Sequence, residues 1–382
     1  MRMPKWWSRP AAPAEGNRGR LGPIRRALAH GGAGSVPAFV RADPDGPLPE
    51  NNPAMKTLLD SFLTATIAAP LLLTLASTLR PAAAEPVVPT PAASPTPAAP
   101  APYHFQVGGL DCWILYDTRN GYDPTSLFVN APPAELEQAL QRHGETGRKI
   151  FTPYAALLVK TPGNTVLIDT GAYAFVGAKR SHLMASLAAI GVTPGQIDTV
   201  LLTHGHPDHI GGTLDADGQP AFPHARFVMF RQEWDCWIPE TPATASDPQQ
   251  KFFADFARRQ LLPLRDQMEL IEHDTEVRPG IVALLAAGHT PGHMVVKIGP
   301  AGHELIYVAD LVLSPIGVEH PEWHSKFECD IAQAQAAARR FLGLAADGRM
   351  LVYAMHFPWP GLGHVAIAGD QWIWQPVAAA TD

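Results

Sequence analysis

From about residue 103 onward, short apolar runs alternate with helix-like stretches bounded by Gly, Pro and Asp. Strand-like runs fall at Gly109–Tyr116, Ala155–Val159, Thr165–Ile168, Asp198–Leu202, Ala225–Phe230, Val295–Ile298 and Leu305–Val308. Helix-like segments fall at Pro133–His143, His182–Ile190, Gln249–Arg259 and Ile331–Leu342. Strand pairs interspersed with helices predict an α/β fold in which two sheets form a sandwich covered by helices on both sides. A chain of 382 residues, 46% hydrophobic, is long enough for one large core or two small domains. The candidate chemistry described below runs from His204 to His356 across several of these strands, so one catalytic domain over 103–382 is the economical reading.

Before residue 103 this pattern is absent. Residues 1–54 are rich in Arg, Pro and Gly without apolar periodicity, the composition of a disordered segment. From Met55 a single lysine precedes an apolar stretch, and Ala82 and Ala84 stand where an A-x-A cleavage site requires small residues. Residues 55–84 therefore read as a signal peptide, with Met55 the expected initiator and 1–54 upstream of the true start. The rival is an uncleaved anchor. Ser61 to Thr78 is just long enough for a short one, but Pro70 and the small-residue exit favour cleavage. Residues 85–102 are a Pro/Ala-rich linker, extended and semi-rigid. The expected protein is periplasmic or secreted, with no stable membrane anchor after cleavage. N-terminal sequencing of the exported form should read from Glu85; a mature chain still carrying Trp6 and Trp7 would contradict this.

Charge narrows the partners. The whole chain carries −7, but residues 1–54 contribute +4 and 55–84 contribute +1, so the part from Glu85 carries −12. Such a chain repels polyanions, which argues against a nucleic-acid partner. Cys112, Cys236 and Cys329 form no CxxC pair and are too few for a disulfide framework.

The densest chemistry is "LLTHGHPDHIGG", residues 201–212. Strand side chains alternate faces, so His204 and His206 leave the strand on one side of the backbone and can share an ion. Asp208 and His209 follow beyond Pro207, which favours a turn, while Gly211 and Gly212 allow a close approach of the next segment. That second pair is available to a neighbouring ion. Three further strand-like runs end in residues of the same type: His289 after Ile281–Ala287, Asp310 after "ELIYVA", and His356 after "MLVYAM". No G-x-S-x-G is present, so a serine nucleophile is not indicated.

In this pattern the chain resembles the metallo-β-lactamase superfamily, whose HxHxDH motif matches His204, His206, Asp208 and His209. The resemblance spans about Phe105 to Pro376 and implies an αββα sandwich with two divalent ions; a His/carboxylate set without thiolate suits zinc, but also manganese, cobalt or iron. It implies His204, His206 and His289 at one ion, Asp208, His209 and His356 at the other, and Asp310 bridging them. Asp169, in "TVLIDTGA", matches an aspartate that supports the ligands. The bridging Asp310 points to the binuclear hydrolase branches. "FPHARFV", "GHTPGH", "ADLVL" and "HFPWPGLGH" are similar to methyl parathion hydrolases and quorum-quenching lactonases, relatives that are often homodimers.

The implied activity is hydrolysis of small hydrophobic lactones or esters, with aryl phosphotriesters as a weaker class, by hydroxide shared between the ions. Asp208 is the expected proton donor to the leaving group. Typical lactonases of that branch place a tyrosine three residues after the bridging aspartate, and here Leu313 stands there, so polarisation of the substrate is expected from metal alone. The stretch 318–330, with His320, Trp323, His324 and Phe327, joined by Phe357 and Trp359, is the expected pocket wall, and His293 and His364 the expected supports of the ligand loops. Two other classes compete. A glyoxalase II-like thioesterase or related sulfur dioxygenase shares the motif, but the export signal and the lack of a basic cluster near the C-terminus disfavour it. A non-catalytic metal-binding envelope protein is disfavoured because all seven ligands are present.

Overall fold

Strand β3 (Ile150–Thr161) is buried along nearly its whole length, as a strand covered on both faces must be. In the computed structural model, which describes residues 99–145, 147–177, 179–239 and 247–377, it lies within a seven-stranded sheet. That sheet runs in chain order through β1 (Tyr103–Val107), β2 (Leu110–Tyr122), β3, β4 (Asn164–Ile168), β5 (Thr199–Leu201), β6 (Arg226–Phe230) and β7 (Met268–Ile271). A second sheet of seven follows: β8 (Thr275–Arg278), β9 (Ile281–Leu285), β10 (Met294–Ile298), β11 (Leu305–Tyr307), β12 (Leu351–Tyr353), β13 (Leu362–Ala368) and β14 (Gln371–Pro376). The unit concerned is Pro91–Asp382. The leader and signal expected at 1–54 and 55–84 lie outside the described residues, as does the linker up to residue 98. Among the described residues no helix is long and apolar enough to cross a membrane.

Alternation along the strands builds the layers. Leu157 and Val159 of β3 pack with Ile281, Val296, Leu305 and Tyr353, so one face of each sheet meets the other. Ala156 and Leu158, one residue out of step, join Leu183, Phe256 and Leu261 from the helices Leu183–Ala189 and Pro248–Leu261. Val295, Ile306 and Val352 pack under the helix Ile331–Gly348 on the far side. The result is the expected αββα sandwich. Asp247 caps Pro248–Leu261 through Gln249 N and Gln250 N, and Asp330 caps Ile331–Gly348 through Gln333 N, so both outer helices start where a side chain satisfies their free amides.

The expected strands omit β1, β7 and β8, and two further departures stand out. Strand β2 continues to Tyr122, six residues past the expected end, because a bulge between Tyr116 and Thr118 turns Asp117 inward. The buried Asp117 carboxylate accepts from Ala172 N, Ser181 Oγ, His182 N and Leu183 N, tying β2 to the turn after β4. The hairpin β13–β14 also escaped the pattern, since its strands are half exposed and interrupted by Gly363, His364 and Gln371.

Candidate metal centre

Strands β4, β5 and β6 are parallel, as are β11 and β12, so their carboxyl ends open at one edge of each sheet. Asp169 follows β4, His204 to His209 follow β5, Asp310 follows β11 and His356 follows β12. The β9–β10 turn adds His289. One edge of the sandwich thus collects residues spaced over more than half of the domain.

Two groups form there. His204, His206, His289 and Asp310 each offer a ligand atom within 4.8 Å of the others, and so do Asp208, His209 and His356. Asp310 faces both. Its Oδ2 lies 3.2 Å from His289 Nε2 and 3.8 Å from His204 Nε2, while its Oδ1 lies 2.9 Å from His209 Nε2 and 3.0 Å from His356 Nε2. Asp208 Oδ2 stands 3.8 Å from His209 Nε2 and 3.7 Å from His356 Nε2. The residues fit a metal on a direct test: Nε2 of His204, His206 and His209 is buried and makes no hydrogen bond, which would be costly if nothing else met these lone pairs. Burial holds His204 and His206 well below the usual imidazole range, so both present neutral nitrogens. At His289 burial also opposes charge, yet Glu328 and Asp310 outweigh it and raise the ring to about 10. The carboxylates here draw positive charge to the ring nitrogens, and a cation answers the same field.

A surrounding shell fixes the rings. Asp169 holds His209 Nδ1 at 2.9 Å and also accepts from Thr203 N, Thr203 Oγ1 and the Tyr307 hydroxyl. His356 Nδ1 lies 3.1 Å from the Pro153 carbonyl, leaving Nε2 to face the site. His293 Nε2 accepts from Asp310 N at 3.1 Å, so this residue supports the aspartate rather than joining either group. Asp169 and Ala309 both have left-handed backbone, φ 62° and 45°, strain concentrated beside the site. The sequence reading missed two carboxylates. Glu328 accepts from His289 Nδ1 at 3.0 Å and is itself held by Ser325 Oγ. Glu233, fully buried, accepts from Gly205 N, Gly292 N, Thr290 Oγ1 and Trp237 Nε1, joining the two histidine loops. Each lies in a stretch rich in aromatic residues, and that aromatic character hid the acid's role.

The metallo-beta-lactamase superfamily model matches residues 151–356, more than half of the chain. The chain belongs to that superfamily, and it is a hydrolase. Among curated proteins it is similar to "Probable metallo-hydrolase YflN" of Bacillus subtilis (strain 168), 26% identical over 224 residues, or 56% of this chain and 82% of that one. Among solved structures it is similar to AidC, a dizinc quorum-quenching lactonase in complex with a product, at 28% identity and TM-score 0.69, covering 74% of this chain and 99% of AidC. It is likewise similar to the hydrolase AbOPH of the beta lactamase superfamily, at 26% identity and TM-score 0.69, covering 75% and 100%.

A cavity of about 260 Å³ opens at this edge and reaches Asp208, Asp310 and His356. Its walls differ from those expected. Leu313 lines it, but Phe357 is buried against Trp374 under the helix Ile331–Gly348, because the chain turns away once His356 has entered the site. Trp359 packs edge-on to Tyr116 beside the inter-sheet core. Trp323 stacks on His320 and lines a smaller neighbouring cleft, and His364 bonds the Met350 carbonyl from β13, in a different cleft. Of the aromatic residues expected in the wall, Phe327 does line the cavity, and Leu127, Phe175, Phe252 and Phe253 supply the rest of the apolar wall. Tyr122 and Tyr154 add hydroxyls to the lining.

Proposed function

We propose that the protein is an exported binuclear metal-dependent hydrolase of hydrophobic lactones or esters. The observation that carries this reading is Asp310, whose two oxygens face two separate His/Asp groups beneath an aromatic cavity. The likeness to AidC, a dizinc lactonase, supports the choice of metal and substrate class. Divalent ions, zinc for this donor set, would supply polarisation of the scissile group and a water acidic enough to attack near neutral pH. The chain's own residues do the rest. His204, His206 and His289 would hold one ion and Asp208, His209 and His356 the other, with Asp169 and Glu328 orienting the rings. Asp208, at the cavity surface, would take the proton that the attacking water gives up and pass it to the leaving oxygen. The aromatic wall takes the acyl or aryl group by contact area, which favours breadth over strict selection.

Assaying residues 85–382, loaded with zinc, on acyl lactones, aryl esters, aryl phosphotriesters, a β-lactam and S-lactoylglutathione should give highest kcat/KM on lactones and aryl esters. A strict preference for S-lactoylglutathione would return the protein to the thioesterase class. Chain-length selectivity resides in Phe252, which lines the cavity while 43% exposed. Phe252→Ala should raise KM for long acyl groups by about three- to tenfold and leave short ones nearly unchanged, because contact area is lost and chemistry is not.

A further inference from the structure

Beside its aromatic wall, and apart from Gln249 and Lys326, the cavity has a polar face. Asn120 and Tyr122 of β2 and Thr152 and Tyr154 of β3 line it from two adjacent strands, each pair two residues apart and therefore on one face. A hydrogen bond joins the hydroxyls of Tyr122 and Tyr154. Tyr154 packs edge-on against His356, with ring centroids 5.6 Å apart, so the pair sits beside the reacting end of the cavity. Thr152 Oγ1 is buried without a hydrogen-bond partner, an arrangement that a buried hydroxyl tolerates poorly unless a bound group meets it.

We propose that the Tyr122–Tyr154 pair is a substrate-binding donor that hydrogen-bonds the carbonyl oxygen on which charge develops during hydrolysis. Two phenols that bond each other use one O–H between them, and with the Asn120 amide set beside both hydroxyls as a further donor, the second O–H is left to donate outward. The mutual bond also polarises that free donor. A phenol ordinarily titrates at ~10, so both hydroxyls carry their protons at neutral pH. The inference rests on the hydrolase reading above and deepens it: the site selects substrates with an oxygen acceptor at the reacting carbon and an apolar tail.

The pair has a signature in mutagenesis. Tyr122→Phe leaves Tyr154 with a free O–H, and Tyr154→Phe leaves Tyr122 with one, so each single variant keeps a donor. Only the double variant loses both. On zinc-loaded protein with the best substrate of the panel, each single variant should lose only about two- to threefold in kcat, and the double variant about 100-fold or more, at unchanged metal content. Calorimetric titration with decanoate, a carboxylate carrying an apolar tail, provides a readout without turnover; the double variant should bind it at least tenfold more weakly. A double variant within tenfold of the wild-type kcat, losses that merely multiply, or a loss matched by lost zinc would each overturn the proposal. If the wild-type protein hydrolyses nothing on the panel, the lactone and ester reading fails instead. In that case decanoate affinity unchanged in the double variant overturns the donor pair by itself.

Discussion

Asp310→Asn protein is expected to lose turnover by roughly 10²–10⁴-fold and to retain its second ion poorly. The carboxylate divides its oxygens between the two groups, Oδ1 toward His209 and His356 and Oδ2 toward His289 and His204. An amide keeps the shape but is neutral, so both groups lose their anionic partner, and the one that faces the NH₂ meets an N–H aimed at imidazole lone pairs. Removing one partner from a buried charged cluster costs about 3–5 kcal/mol, and the quoted range is that cost expressed at the transition state. Metal analysis alongside kcat/KM separates binding from chemistry. Two tightly held ions and an undiminished rate in Asp310→Asn would refute the binuclear reading.

The groups that flank Asp310 were legible in the sequence because strand ends are legible. An apolar run followed at once by His or Asp marks both the end of a strand and the edge where it opens, and four such runs gave His204 to His209, His289, Asp310 and His356. The αββα layers followed from the same runs, since Leu157 and Leu158 must face opposite ways and each found its own core. The cavity wall carried no such mark. Phe252 and Phe253 sit within a helix whose other apolar residues are core, and Tyr122 lies past a bulge that no alternation could have predicted. Phe357 and Trp359 drew attention by adjacency to His356, but adjacency along a turning chain says nothing about direction. Glu233 and Glu328 act on backbone amides and on ring nitrogens contributed by distant loops, partnerships that only the fold creates.

Glu233 carries the larger structural consequence of these two. Its Oε1 accepts from Gly205 N at 2.8 Å and from Trp237 Nε1, and its Oε2 accepts from Thr290 Oγ1 at 2.6 Å and Gly292 N at 2.8 Å. Gly205 lies between His204 and His206, and Thr290 and Gly292 lie between His289 and His293, so one carboxylate locks both histidine loops together. Packing there leaves no slack: a Cβ on Gly205 would meet Trp237 Cδ1 at 2.5 Å, and one on Gly292 would meet Glu233 N at 2.3 Å. Glu233→Ala strands four buried donors around a new void, a loss of about 3–5 kcal/mol, which lowers Tm by roughly 10 °C in a domain of this size. Because the loops it joins carry three of the four residues around one candidate ion, zinc affinity should fall roughly 10- to 100-fold as well. Glu233→Gln preserves volume and one acceptor oxygen but turns an NH₂ on two donors, so it should fall between wild type and Ala in both measurements. Thermal unfolding with and without zinc decides the matter. A Glu233→Ala protein that melts within about 2 °C of wild type and binds zinc as tightly would show that the loops are held elsewhere, since four orphaned buried donors cannot leave so small a mark.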